Sequence, residues 1–135
     1  MKRKVLSILL ILAMCLTMFP TMAFAADGEN TIGLEGSGTA DDPYLISSVA
    51  DLQTFRDAVN GGQNEICAKL TDDIPTVYFQ DTLPSIGTAD YPYMGTFDGD
   101  GYYISTYVSS NTVNRGVFGC IGTNGIVKNL AIREQ

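Results

Sequence analysis

The stretch from Gly95 to Arg133, GTFDGDGYYISTYVSSNTVNRGVFGCIGTNGIVKNLAIR, constrains the fold more than any other part of the chain. Gly95-Thr96-Phe97 recurs 21 positions later as Gly116-Val117-Phe118, and Ile104-Ser105-Thr106-Tyr107 recurs 23 positions later as Val127-Lys128-Asn129-Leu130. A period of roughly 20 to 25 residues belongs to architectures whose short units bury their apolar edges only against each other. Inside each unit stand strand formers: Tyr, Ile, Val, Phe and Thr. Between them stand Gly99, Gly101, Asn111, Asn114, Gly119, Gly122, Asn124 and Gly125, residues that tolerate tight corners. Short strands with glycine corners at this period predict an all-β chain wound as a right-handed parallel β-helix, not a helical solenoid.

The first 25 residues do not belong to that fold. Lys2-Arg3-Lys4 is a basic start, Val5 to Met18 an apolar run, and Ala23-Phe24-Ala25 a small-x-small cleavage site. This is the layout of a signal peptide cut after Ala25; the run is short for a membrane span. Cys15 reads as an ordinary member of the segment, because Met14 precedes it and apolar sequence follows. Residues 26–37 are polar and aperiodic and read as a flexible leader. Residues 38–135 are one small domain.

Cleavage leaves five basic residues against fifteen acidic ones. Such a surface repels phosphate backbones and anionic membranes, which excludes nucleic-acid binding and membrane association after export. It suits a secreted or cell-surface protein. Cys67 and Cys120 remain. An exported chain can oxidise such a pair, but they lie far apart in sequence, and packing as small apolar residues is the simpler reading.

Pro43 directs Tyr44-Leu45-Ile46 toward a strand. In Ser48 to Asn60, Val49, Leu52, Phe55 and Val59 share one helical face, and Asp51, Gln53, Arg56 and Asp57 take the others. Ser48 and Asp51 form a capping pair, and Gly61-Gly62 supplies the stop. Such a helix would cover the open first coil and shield its strand edges. Ile66, Ala68 and Leu70 alternate with Cys67, Lys69 and Thr71 as a half-buried strand, and Val77-Tyr78-Phe79 is another candidate. Ile126 to Ile132 reads as one apolar strand running to the end of the chain with no polar closing repeat. The expectation is the front end of a longer protein or a truncated product. Phe97, Ile104, Phe118, Val127 and Leu130 form the expected core.

Taken in order, these segments resemble a known pattern. Gly36 to Ile46, followed by Asp51-Leu52 and a helix, resembles the start of β-helical regions in large bacterial surface proteins. Leu70 to Ile74, Pro84-Ser85-Ile86-Gly87 and Gly95 to Gly101 continue it. Gly116-Val117-Phe118-Gly119-Cys120-Ile121, with Gly125 and Val127 to Leu130, is similar to the glycine-rich GLUG repeat. The chain departs from the pattern in lacking any Trp and in the stretch from Pro75 to Leu83. The resemblance implies a secreted or cell-surface adhesin-like protein of Gram-positive type. Its implied role is scaffold or adhesion, as the N-terminal part of something larger, with a host or cell-wall glycan or a surface protein as partner. Similar repeats accompany surface peptidases and polysaccharide-acting proteins, so an accessory region ahead of a downstream catalytic part is the alternative. A carbohydrate-binding module is a third reading.

Few residues carry chemistry. The chain has no histidine, which removes His-based triads and HExxH zinc sites. Asp98-Gly99-Asp100-Gly101 resembles part of a calcium loop, but the ligand series ends at two carboxylates. A tight turn with a left-handed residue explains it better. Asp98 and Asp100 are close enough for a glycosidase pair, but nothing else near them supplies an acid or base. No catalytic residue and no resident cofactor follow from the sequence. Tyr91, Tyr93, Tyr102 and Tyr103, with Tyr107 nearby, are candidate ligand-binding residues, since exposed rings stack on sugars or anchor partners. The competing reading is that tyrosine is simply a good strand residue.

Overall fold

The computed structural model describes residues 32–78, 84–107 and 116–135. The expected signal segment, the first half of the leader, Phe79, Asn111 and Asn114 lie outside the described residues. Residues Ile32–Gln135 form a compact unit with its own core.

Among the described residues, seven strands and one helix follow one another: β1 (Tyr44–Ile46), α1 (Val49–Asn60), β2 (Ala68–Leu70), β3 (Ile74–Tyr78), β4 (Thr96–Asp98), β5 (Tyr103–Tyr107), β6 (Ile126–Lys128) and β7 (Ala131–Glu134). They make two parallel sheets, β1-β2-β4-β6 and β3-β5-β7. The chain passes from the first sheet to the second at tight corners. Asp100 (φ 49°) and Gly101 (φ 87°) turn β4 into β5, and Asn129 (φ 53°) turns β6 into β7. Asp and Asn are the residues that tolerate this left-handed region besides glycine. Ile126 to Ile132 is therefore two short strands about a corner, not one.

The expected all-β, right-handed parallel β-helix is corrected by this architecture. Among the described residues there are two small parallel sheets and a 12-residue helix, with no closed solenoid. The segment from Ser85 to Met94 makes only two isolated bridges among the described residues, Ile86 to Phe118 and Tyr93 to Ile121. Pro84 and Pro92 lack the N–H a ladder needs, and Gly87 stands at φ +84°, so no third sheet forms there. The repeat alignment also changes. Phe97 pairs with Val127, Ile74 with Ile104, Ile104 with Ile132, and Ala68 with Phe97. Partners are thus 28 to 30 residues apart in these ladders, not 21 or 23.

The helix forms where its spacing predicts. Ser48 caps it, its Oγ accepting from Asp51 N at 3.1 Å. Asp51 returns a carboxylate oxygen to the N–H and hydroxyl of Ser47, both at 3.0 Å. Desolvation acts to raise the Asp51 pKa, but these bonds from Ser47 and Ser48 prevail and hold it below the ordinary value. Leu52, Phe55 and Val59 are buried and Val49 is half-buried. Arg56, expected on the outer face, is buried too. Its stem packs inward while its Nε and Nη2 reach Asp57 Oδ1 at 3.0 and 2.8 Å. The helix packs on β1 and β3, the first strand of each sheet, which shields those edges. Ile32 and Leu34, near the end of the expected leader, pack against the core.

Tyr44, Ile46, Leu70, Ile74, Ile86, Tyr93, Phe97 and Ile104 are fully buried. Phe118, Val127 and Leu130, expected in the core, only border it. Cys67 and Cys120 are free thiols.

Candidate functional site

The outward face of the first sheet carries the most organised polar surface. Alternation along each strand sends Tyr44, Ala68, Phe97 and Val127 inward in one cross-strand row. The next row, Leu45, Lys69, Asp98 and Lys128, faces out. Lys69, Asp98 and Lys128 are direct cross-strand neighbours on three adjacent strands, so opposite charges alternate across the sheet.

This row forms one side of an open concavity of about 410 Å³. Ala40 and Pro43, from the loop before β1, form an apolar border, and Thr96, Cys67 and Ala68 complete the lining. Ser37 and Thr39 fix that loop, their backbone N–H groups donating to Asp42 O at 3.1 and 3.2 Å.

The charged side chains hold one another in place. Asp98 Oδ1 accepts from the Asn129 amide at 3.0 Å and from Asp100 N at 2.9 Å. Asp98 Oδ2 lies 3.5 Å from Lys128 Nζ, and Lys69 Nζ lies 3.1 Å from Asp100 Oδ2. Asn129 first, then the Asp100 N–H and Lys128, hold the Asp98 carboxyl below the ordinary carboxylate range. Asp98 is a fixed anion, unsuited to act as a general acid near neutral pH.

That shift has a consequence for stability. Asp98 binds its proton more weakly folded than unfolded, so its contribution is complete above about pH 4 and fades as pH falls through the folded value. Replacing Asn129 by Ala removes the first cause. The drop in melting temperature between pH 7 and pH 2.5 should be smaller in Asn129→Ala than in the natural chain. Equal drops would show that the amide does not stabilise the anion.

The structure places Asp98 and Asp100 at one corner. Both carboxylates are engaged by lysines, and the turn reading of Asp98 to Gly101 accounts for their geometry. No group of three or more Cys, Asp or Glu side chains able to hold a metal occurs among the described residues.

The tyrosines do not form one surface. Tyr93 is 0% exposed; its hydroxyl donates to Ile66 O at 3.0 Å and its ring packs on Phe55 and Phe118. Burial, and secondarily Cys67, push its hydroxyl pKa well above the usual value. The sequence-based expectation of a ligand-facing ring fails there, because alternation turns Tyr93 inward. Tyr91 is exposed in a turn closed by Thr88, whose hydroxyl accepts from Tyr91 N at 3.0 Å. Tyr102 packs against the core, and Tyr103 lies under the Arg133 guanidinium, 3.8 Å from the ring centroid. Lys69 and Lys128 were not singled out by sequence. The alternation in Ile66 to Leu70 marks Lys69 as outward, but only the ladder register brings it beside Asp98.

No protein-family model matches the chain, and no solved structure matches it. Two curated proteins are similar. Over 114 residues the chain is 34% identical to halomucin of Haloquadratum walsbyi, a match covering 78% of this chain and 1% of halomucin. Over 110 residues it is 32% identical to a protein of Evansella cellulosilytica described as a Gly-rich membrane protein, covering 77% of this chain and 12% of that one. The chain thus spans a small part of each relative. Among the described residues, no helix is long and apolar enough to cross a membrane.

Proposed function

We propose that the chain is a non-catalytic module of a secreted or cell-surface protein, with a scaffold or adhesion role and an envelope glycan or surface protein as its partner. The supporting observation is the Lys69–Asp98–Lys128 row. Its charges are fixed by each other and by Asn129, and they rim an open concavity. This is a surface arranged to hold a partner, not to move protons. The relatives' names agree with a place at the envelope, and the small share of each relative that the chain covers agrees with a module of a larger protein. The GLUG-like and adhesin-like assignment rests on the residues of the chain alone.

Incubating the chain lacking residues 1–25 with isolated cell-envelope material tests this. The expected result is retention on the envelope with no release of reducing sugar ends or peptides. Release that disappears in Asp98→Asn would overturn the non-catalytic reading.

A further inference from the structure

The two sheets end differently at their two edges. The helix packs on β1 and β3 and covers the edge they form. At the other edge lie β6 and β7, and among the described residues no strand pairs with their far sides. Backbone bonding shows which groups face outward there. Ile126 N–H donates to Gly95 O and Gly99 N–H donates to Lys128 O, both at 2.9 Å. In a parallel ladder the residue between turns its N–H and C=O the other way, so those of Val127 face the open edge. Ala131 N–H donates to Tyr102 O and Gln135 N–H to Thr106 O, which turns the same groups of Ile132 and Glu134 outward.

The core also runs out at this edge, in three places. Ile74 and Ile104 are fully buried, and Ile132, next in that cross-strand row, is 48% exposed. Tyr93 is fully buried, and Ile121, bridged to it, is 46% exposed. Phe97 is fully buried, and Val127 beyond it is only partly so. Each row stays apolar at its last position, where an edge meant for water ordinarily carries charge or proline. Open ladder groups and the ends of three core rows thus coincide on one surface.

Charge identifies what covers it. Glu134 is the only one of the fifteen acidic residues that follows Gly116, and two of the five basic residues left after cleavage, Lys128 and Arg133, lie there too. The rest of the chain carries the acidic excess, which repels a second copy; this end does not. Two copies that meet here keep their acidic residues apart. The helix blocks the opposite edge, so ladder pairing between copies joins open edge to open edge. That contact is the same patch on both chains, and a two-fold axis closes it at two.

We propose that the β6–β7 edge is a dimerisation surface whose occupant is a second copy of this chain. The two-fold sets β7 antiparallel to β7 of the second copy, with Ile132 near the axis. The contact does not depend on whether the Lys69–Asp98–Lys128 row holds an envelope partner.

The test is sedimentation velocity on the chain lacking residues 1–25, since Ile32–Gln135 is a compact unit with its own core. Over a range from about 1 μM to about 500 μM the expected result is monomer passing to dimer and no further. Ile132→Lys and Ile121→Lys should each weaken the dimer by roughly ten-fold or more, because each buries a charge in the contact. Tyr91→Ser alters an exposed ring away from this edge and should leave the dimer unchanged. Amide spectra show whether each variant is folded. Hydrogen exchange supplies a second readout: the Ile132 N–H should slow in the dimer, while the Ala131 N–H, already bonded to Tyr102 O, should be protected at every concentration. A monomer throughout that range overturns the proposal and leaves the edge to a different polypeptide. A dimer untouched by both lysine variants overturns it, as does growth beyond two chains or an Ile132 N–H that exchanges equally in monomer and dimer.

Discussion

Replacing Phe97 by Ala should destabilise the chain by about 3 to 5 kcal/mol. Phe97 is 0% exposed on β4 and lies in a closed circuit of four rings. Its centroid is 5.8 Å from that of Phe55 and 5.3 Å from that of Phe118. Tyr93 completes the circuit, 5.9 Å from Phe55 and 5.7 Å from Phe118. These rings come from the helix, the Ser85–Met94 segment, β4 and the stretch after Gly116, so the circuit joins four parts of the chain and Phe97 itself links β4 to the helix and to the stretch after Gly116. Removing it leaves a cavity between the Phe55 and Phe118 rings and deletes the edge-to-face contact with Phe118. A chain this size has about 5 to 15 kcal/mol in total, so the melting temperature should fall by about 12 °C or more. Phe118→Ala, at the half-buried position, should cost less. An unchanged melting curve for Phe97→Ala would remove the aromatic circuit from the account of the core.

The second large effect belongs to Gly87. Its φ of +84° is a region side chains rarely adopt, and an added Cβ would collide with the carbonyl oxygen of Cys120. That carbonyl accepts from Tyr93 N at 2.9 Å, so it is not free to withdraw. The Gly87 N–H donates to Asn60 Oδ1 at 2.8 Å, and Asn60 Nδ2 donates to Ser85 O at 2.9 Å, tying this turn to the end of the helix. Gly101 is the natural control. Its φ is +87° but a Cβ there meets nothing within 4 Å. Gly101→Ala should cost the backbone strain alone, about 1–2 kcal/mol, and Gly87→Ala distinctly more. Urea unfolding of the two variants decides this. If Gly87→Ala is no worse than Gly101→Ala, the close approach of the two turns is absent.

Local features were legible from residue order. The helix of Val49–Asn60, its Ser48 cap, its Gly61-Gly62 stop and its buried face follow from spacing and side-chain chemistry within a dozen positions. The strands around Tyr44 and Ala68 follow from alternation. The corner at Asp98 to Gly101 follows from residues that accept left-handed backbone. The free state of both thiols agrees with reading them as small packing residues.

What was misread depended on which distant segments meet. Matching Gly95-Thr96-Phe97 to Gly116-Val117-Phe118 looked sound by residue type, but hydrogen bonding pairs β4 with β6 and β5 with β7. A shift of seven or so residues keeps much of a pattern of Gly, Val and Ile intact, so composition alone does not fix the register. That register also decided the candidate site, because Lys69, Asp98 and Lys128 become neighbours only when three strands align.

The sequence by itself determined where the chain turns, where it coils into a helix, and which side of each short element is apolar, since those depend on backbone sterics and nearest neighbours. Tertiary structure alone decided that the strands divide into two sheets, that Tyr93 points inward, and that two of the few lysines share one concavity. Those outcomes depend on contacts between residues roughly 30 positions apart, where packing and hydrogen bonding over the whole unit select the pairing.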